Sequence, residues 1–325
     1  MPMVDILILG AGWTSTFLIP LCTSRSLTHA STTRTGRDFT IPFSFSPDSD
    51  DLEPYRVLPD AHTVLITFPI DRPGAPERLV RLYRASRSGG LEATGFIQLG
   101  TTGIWDGPRK AIKTDPPTPV ENKWYDRHTP FVPNARASAE IELLGLSCAE
   151  TPTTVLNLAG LWGGGRSMRN WVGRVAPTKE VLRCKGSLHM IHGLDVARAI
   201  LAIHGSFSKA AGQRWILTDG RVYDWWDLAS AWGSPPSSSP FISGSTSGVP
   251  GGRNGEENNN EVEVKKEEDE DKMHGPHARW VRELMRETGV RALPRDVGLL
   301  GRAMDSREFW EVFGLGPVRA RLEGW

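Results

Sequence analysis

Neither sign of charge is in excess, since lysine plus arginine and aspartate plus glutamate each total 38. A dedicated nucleic-acid binder ordinarily carries a basic surplus, so that class is disfavoured. Cysteine is scarce. Cys22, Cys148 and Cys184 are odd in number and far apart, which builds neither a disulfide framework nor a metal cluster and suits a reducing compartment. No apolar run approaches the roughly 20 residues of a membrane-spanning helix. The apolar N-terminal stretch contains Asp5 and has no basic lead-in, so no secretory signal is expected there. What is present, 325 residues with 39% hydrophobic and 23% charged side chains, suffices for the core of one large domain or two modest ones. The expectation is a soluble, cytoplasmic, globular protein with neither nucleic acid nor membrane as partner.

The first informative segment, Val4-Asp5-Ile6-Leu7-Ile8-Leu9, is short, apolar and ends at Gly10-Ala11-Gly12, which predicts a buried strand followed by a turn. A helix start follows at Thr14-Ser15-Thr16, with Pro20 placed to kink or shorten that helix. Further strands are expected over Thr63–Phe68, Gly95–Gly100 and Thr153–Leu158, with helical stretches at Glu77–Ser86 and Arg136–Leu144 between them. Strands alternating with helices predict an α/β fold, a doubly wound, mostly parallel sheet of Rossmann-like type covered on both faces. The expected division is a nucleotide-binding lobe over 1–160 and a smaller C-terminal substrate lobe over 161–325. From about 234 to 272 the chain turns Ser/Pro/Gly-rich, then Asn-rich, then acidic. Such a composition buries too little apolar surface to offset its ordering entropy, which predicts a disordered insertion; an acidic interaction loop is the alternative. An amphipathic helix is expected to follow from His277, and no repeat of 20 to 50 residues is visible.

Gly10-x-Gly12 carries the strongest chemical signal. The first glycine permits a tight turn, and the second lets backbone approach a pyrophosphate at a helix N-terminus, with Trp13, Thr14 and Ser15 opening that helix. The third position of the fingerprint is Ser15 rather than glycine, and a simple strand–helix turn is the alternative. At the expected end of the second strand, Ser31 to Arg37, there is no acid to accept from ribose hydroxyls. Arg34 and Arg37 stand there instead, which on charge grounds favours NADP over NAD. Two solvated arginines are the alternative.

At this point the residues resemble a known family. Gly10-x-Gly12, Thr32-Thr33-Arg34 and Leu99-Gly100-Thr101-Thr102-Gly103-Ile104-Trp105-Asp106 resemble an atypical, extended short-chain dehydrogenase/reductase of the NAD-dependent epimerase/dehydratase type. Asn157-Leu158-Ala159-Gly160-Leu161-Trp162-Gly163-Gly164-Gly165-Arg166 is similar to that family's Arg-Leu-Ala-Gly-Leu-Tyr-Gly-Pro-Gly-Arg block. Leu188 to Ala197 is similar to its Ile-His-Val-Asp-Asp-Ala block. The similarity runs from residue 4 to about 232 with the blocks in the family's order.

The resemblance implies a Tyr-x-x-x-Lys pair on a helix, whose tyrosine exchanges a proton with substrate while the lysine holds the nicotinamide ribose. Aligning Ala139-Glu140 with the family puts Val132 at the tyrosine and Arg136 at the lysine. Valine transfers no proton, and arginine holds a ribose or phosphate without tuning a pKa. By the same resemblance Thr101 or Thr102 polarises the substrate oxygen. Tyr125 is the first candidate for the missing proton donor, with Asp106 and His128 behind it, and an ordinary loop aromatic is the alternative for Tyr125. His189 and His192 are three apart but have no third ligand in register, so no metal is expected. His192 is expected to pack near the sheet and Asp195 to lie near a helix N-terminus. Arg166 and Arg169 follow the glycine-rich turn, where they would bind an anionic substrate or stay solvated. Trp225 and Trp226, in an Asp224-Trp-Trp-Asp227 helix start, are expected in the second lobe's core, or in an aromatic substrate pocket.

The leading expectation is an NADP-binding oxidoreductase- or epimerase-like protein, with NAD as the other option, acting on a small carbonyl or hydroxyl substrate. A homodimer is an open option for its assembly. The alternative is a non-catalytic NAD(P)-binding sensor or assembly factor that keeps the cofactor site without the tyrosine.

Overall fold

The structure, a computed structural model, describes residues 3–87, 93–106, 123–131, 134–233, 275–320 and 322. The insertion expected at about 234–272 and Val132 lie outside the described residues. In chain order the strands are β1 (Val4–Leu9), β2 (His29–Thr33), β3 (Ile41–Pro42), β4 (Ala61–Ile66), β5 (Gly95–Thr101), β6 (Lys123–Tyr125) and β7 (Thr153–Leu158). They continue as β8 (Gly160–Trp162), β9 (Ser187–Leu188), β10 (Met190–His192), β11 (Gln213–Leu217), β12 (Tyr223–Asp224) and β13 (Arg302–Met304).

Seven of these form one sheet in the order β11-β7-β5-β4-β1-β2-β3, with every neighbouring pair parallel. Side chains alternate across a strand, so each central strand feeds two cores. Ile6, Ile8, Ile97 and Leu99 pack on one face with Leu18 and Cys22 of the Ser15–Ser24 helix and Val196 and Ile200 of the Gly193–Gly205 helix. Leu7, Leu9, Val64 and Phe96 pack on the other with Leu79 and Tyr83 of the Ala75–Ala85 helix and Leu143 of the Ala135–Gly145 helix. Strands buried on both faces read as continuous apolar runs, which is why β1 was legible. This is the doubly wound α/β sheet expected from the sequence.

Three local differences have physical causes. The fourth strand ends at Ile66 rather than Phe68, because Thr67 bonds back to the end of β1, its amide donating to the carbonyl of Leu9 at 3.1 Å. The Ser15–Ser24 helix continues through Pro20, whose ring lies on the exposed side. And β2 passes to β3 through residues 34–40 alone, although parallel neighbours ordinarily need a crossover of a dozen residues or more. No helix intervenes, so the segment after β3 is brought directly beside the end of β2, with the amide of Phe43 donating to the carbonyl of Thr33 at 2.9 Å.

The chain forms two compact units. One comprises the described residues of Met1–Arg166, His189–Val222 and Gly301–Glu323 and contains the sheet. In it β8 pairs with β10 and β6 with β13, both parallel. The other comprises those of Ser167–Leu188 and Tyr223–Leu300. In this second unit β9 and β12 pair antiparallel. Asp224 caps the Trp225–Trp232 helix by accepting from the amide of Trp226 at 2.9 Å. Arg295 pairs with the same carboxylate at 2.6 Å and stacks over the Trp226 ring at 3.8 Å. Trp225 and Trp226 are both buried, as the core reading of that helix start anticipated.

Candidate functional site

At the C-terminal edge of β1 the chain makes the Gly10-Ala11-Gly12 turn, and two threonines hold it from the neighbouring strands. Thr32 of β2 accepts at its hydroxyl from the amide of Gly10 at 3.0 Å and at its carbonyl from that of Ala11 at 2.6 Å. From the other side Thr67 donates its hydroxyl to the carbonyl of Gly10 at 2.6 Å. Gly10 has φ +93°, and a β-carbon there would lie 2.7 Å from the Thr67 hydroxyl, so only glycine fits. A β-carbon on Gly12 would meet nothing closer than the carbonyl of Gly10 at 4.0 Å, leaving the backbone of residue 12 open to an approaching group.

The Ser15–Ser24 helix starts immediately after this turn. Ser15 donates its hydroxyl to the carbonyl of Gly12 at 2.5 Å, and Thr16 does the same to Trp13 at 2.7 Å. Both side chains satisfy carbonyls. Among the described residues the amides of Gly12, Trp13 and Thr14 donate to no protein acceptor. Helix N-terminal amides in this state, with the macrodipole behind them, favour an anion. Trp13 ties the turn to a second loop: its indole nitrogen donates to the carbonyl of Gly163 at 2.9 Å, and the Arg166 guanidinium lies 4.5 Å from its ring centroid.

Gly10 and Gly12 open onto a cavity of about 840 Å³, within the size range of small-molecule sites. It is also lined by Arg34, Arg37 and Arg72 and by Phe43, Phe45 and Phe68. Arg34 immediately follows β2 and forms no ion pair among the described residues, whereas Arg72 pairs with Asp48 at 3.2 Å and Arg37 lies 3.9 Å from Asp38. The cavity therefore joins an anion-favouring turn to an arginine-rich wall. Sequence reasoning found Gly10, Gly12, Arg34 and Arg37 but missed Arg72 and the three phenylalanines, which sit on loops that only the strand order brings together.

The other expected residues stand as follows. Thr101 closes β5 and accepts at its hydroxyl from the amide of Gly103 at 3.1 Å, which leaves the hydroxyl proton to donate elsewhere. Thr102 is buried at the start of the following short helix. Tyr125, on β6, packs against the cluster formed by Ile104, Trp105 and Met304. Asp106 pairs with Arg302, and His128 approaches Glu308 at 3.1 Å.

Arg136 donates to the carbonyl of Leu99 at 3.0 Å and lies 3.7 Å from Glu140, one turn along its helix. It does not line the large cavity. Glu140 is buried and also receives a hydrogen bond from the Asn157 amide at 2.8 Å and an ion pair from Arg214 at 3.4 Å. Burial pushes the Glu140 carboxyl up, opposed by Asn157 and the two arginines, and burial draws both guanidinium groups down.

His192 caps the Gly193–Gly205 helix, accepting at Nδ1 from the amide of Leu194 at 3.1 Å. Asp195 is fully buried in that helix's first turn, paired with Arg198 at 2.8 Å. His189 accepts at Nε2 from the amide of Met304 at 3.0 Å.

No family model matches the sequence, and no curated protein does. Solved structures do match. A human epimerase family protein solved with NADPH is 13% identical, with TM-score 0.54 over 98% of this chain and 96% of that one. The dTDP-glucose 4,6-dehydratase of Bacillus anthracis, solved with NAD, is 12% identical, with TM-score 0.51 over 97% and 92%. The UDP-N-acetylglucosamine 4-epimerase of Bacillus cereus is 9% identical, with TM-score 0.51 over 97% and 94%. The chain has the fold of the extended short-chain dehydrogenases and epimerases. At these identities the likeness is one of fold, and the sites must be argued from this chain's own residues. Among the described residues no helix is long and apolar enough to cross a membrane.

Proposed function

We propose that this chain binds a nicotinamide dinucleotide in the cavity at the end of β1, with NADP preferred over NAD, and acts as an oxidoreductase or epimerase on a small carbonyl or hydroxyl substrate. The observation that carries this reading is one cavity lined by both the Gly10–Gly12 turn and Arg34. The dinucleotide-bound structures of the same fold support it. In this reading the amides of Gly12, Trp13 and Thr14 hold the pyrophosphate, with Gly10 and Ser15 shaping the turn. Arg34 meets the 2′-phosphate with a charge-assisted hydrogen bond. When bound, the nicotinamide supplies or accepts the hydride. In this reading Thr101 and Thr102 orient the substrate oxygen, Arg136 takes the place of the family's lysine, and Tyr125 supplies the proton that Val132 cannot. Calorimetric titration with NADPH and NADH, followed by a carbonyl and nucleotide-sugar screen with the tighter cofactor, tests the reading. Tighter binding of NADPH and turnover are expected; no binding of either contradicts it.

A second reading is a cofactor-binding sensor or assembly factor without turnover. The engagement of Arg136 favours it, because its guanidinium is already committed to Leu99 and Glu140. NADPH binding with no turnover across the screen selects this reading over the first.

A further inference from the structure

Asn157 of β7 stands opposite Gly100 of β5, one residue before that strand ends at Thr101. It is fully buried, and its side-chain nitrogen donates twice: to a Glu140 carboxylate oxygen at 2.8 Å and to the carbonyl of Thr101 at 3.2 Å. Room for this exists because residue 100 has no side chain. A β-carbon there would lie 2.6 Å from Glu140 Oε1 and closer still to Asn157 Nδ2. A buried asparagine amide has two orientations, and the carboxylate selects between them. Glu140, paired with Arg136 at 3.7 Å and Arg214 at 3.4 Å, offers only acceptors, so it takes the NH₂ end and leaves the second N–H for Thr101. That orientation is kept although Asn157 Oδ1 finds no hydrogen-bond partner among the described residues.

We propose that Asn157, oriented by Glu140, is a positioning residue for Thr101, which orients the substrate oxygen in the reading above. The inference rests on that reading. Thr101 is held at two atoms. Its hydroxyl oxygen accepts from the amide of Gly103 at 3.1 Å, a contact within its own turn, and its carbonyl accepts from Asn157 on the neighbouring strand. Thr101 is still extended, with φ −142° and ψ 140°, whereas residues 102–105 wind into a short helix. The change of direction falls immediately after it, so a small rotation of its peptide would swing the hydroxyl. Asn157 fixes that peptide where the pairing of β5 with β7 runs out. Reacting groups tolerate little misplacement, with about 1 Å costing as much as 10²-fold in rate. Glu140 and its two arginines therefore act on the chemistry through Asn157, without touching substrate.

The test uses Asn157→Leu, which keeps the shape and removes both donors. The Gly103 amide, bonded to the Thr101 hydroxyl, reports on Thr101 by hydrogen exchange. It should exchange about tenfold faster than in the parent, measured relative to the Leu7 and Val64 amides so that a change in global stability cancels. With a substrate found in the screen, kcat should fall about tenfold while KM and NADPH affinity stay as in the parent. Glu140→Gln, which still offers an acceptor, should lose less on both readouts than Glu140→Leu. Unchanged relative exchange at Gly103, or parent-like kcat, overturns the positioning role and leaves the oxidoreductase reading intact. A parent that binds no NADPH or turns nothing over overturns that reading, and this role with it. Should Asn157→Leu misfold, NMR of the parent gives the answer. Asn157 side-chain protons protected from exchange support the role, and protons that exchange as in a solvated asparagine overturn it.

Discussion

The hydroxyl of Thr67 donates to the carbonyl of Gly10 and fills the space a β-carbon on residue 10 would need. The turn is thus fixed by the end of the neighbouring strand β4. Gly10→Ala meets both a left-handed backbone angle and this steric conflict. The angle alone costs roughly 1–2 kcal/mol. The variant should lower the urea midpoint, and Gly10→Ala combined with Thr67→Ala should recover part of the loss. An unchanged midpoint for Gly10→Ala would contradict the turn as described.

Arg34 sets the expected cofactor preference. A hydrogen bond to a charged group is worth about 1.5–3 kcal/mol, tenfold or more in affinity. Arg34→Ala should weaken NADPH by about that factor and leave NADH nearly unchanged. Equal weakening of both, measured by calorimetry, would assign Arg34 to general packing or to the pyrophosphate instead.

His189 gives the fold a defined pH dependence. Burial, with Arg302 adding to it, lowers the imidazole from 6.5 to about 3. Between those values the unfolded chain takes up a proton that the folded chain refuses. The contribution is therefore complete above pH 6.5 and is lost as pH falls toward 3, at up to about 1.4 kcal/mol per pH unit. His189→Gln keeps an acceptor for the Met304 amide and removes the titration, so its stability should fall less steeply than the parent's over that range. Parallel stability–pH curves would show that the imidazole is not held neutral.

The central strands β1, β4, β5 and β7 were legible because they are buried and rich in apolar residues, whereas the two-residue β3 and the edge strand β11 were not read. The Gly10–Gly12 turn and the Asp224 cap were legible from local pattern as well. What the sequence hid depends on partners far along the chain. The true end of β4 is set by Thr67 bonding back to Leu9, the surroundings of Glu140 by Arg214 on β11, and the aromatic wall by the missing crossover helix before β3. Arg136 was found by its position in the resemblance. Its pairing with Glu140 follows from their i,i+4 spacing on one helix, but that it donates to Leu99 follows only from how that helix lies on β5.

If the chain turns over a substrate, the proton must come from outside the position that Val132 occupies. General acid–base assistance is typically worth about 10²–10⁴-fold. Tyr125→Phe should lower the rate constant for turnover by at least about tenfold while leaving NADPH affinity unchanged. Turnover that survives the substitution would remove Tyr125 from the chemistry and direct attention to Asp106 or His128.

The central claim is that a dinucleotide binds across the Gly10–Gly12 turn, and its most direct test is NADPH titration of the Gly12→Val variant beside the parent. A β-carbon at residue 12 meets open cavity rather than protein, so the fold should survive the change. Its branched methyls would stand where the pyrophosphate must lie. The account predicts an unaltered melting temperature and loss of measurable NADPH binding; parent-like NADPH affinity in a folded Gly12→Val protein would contradict it.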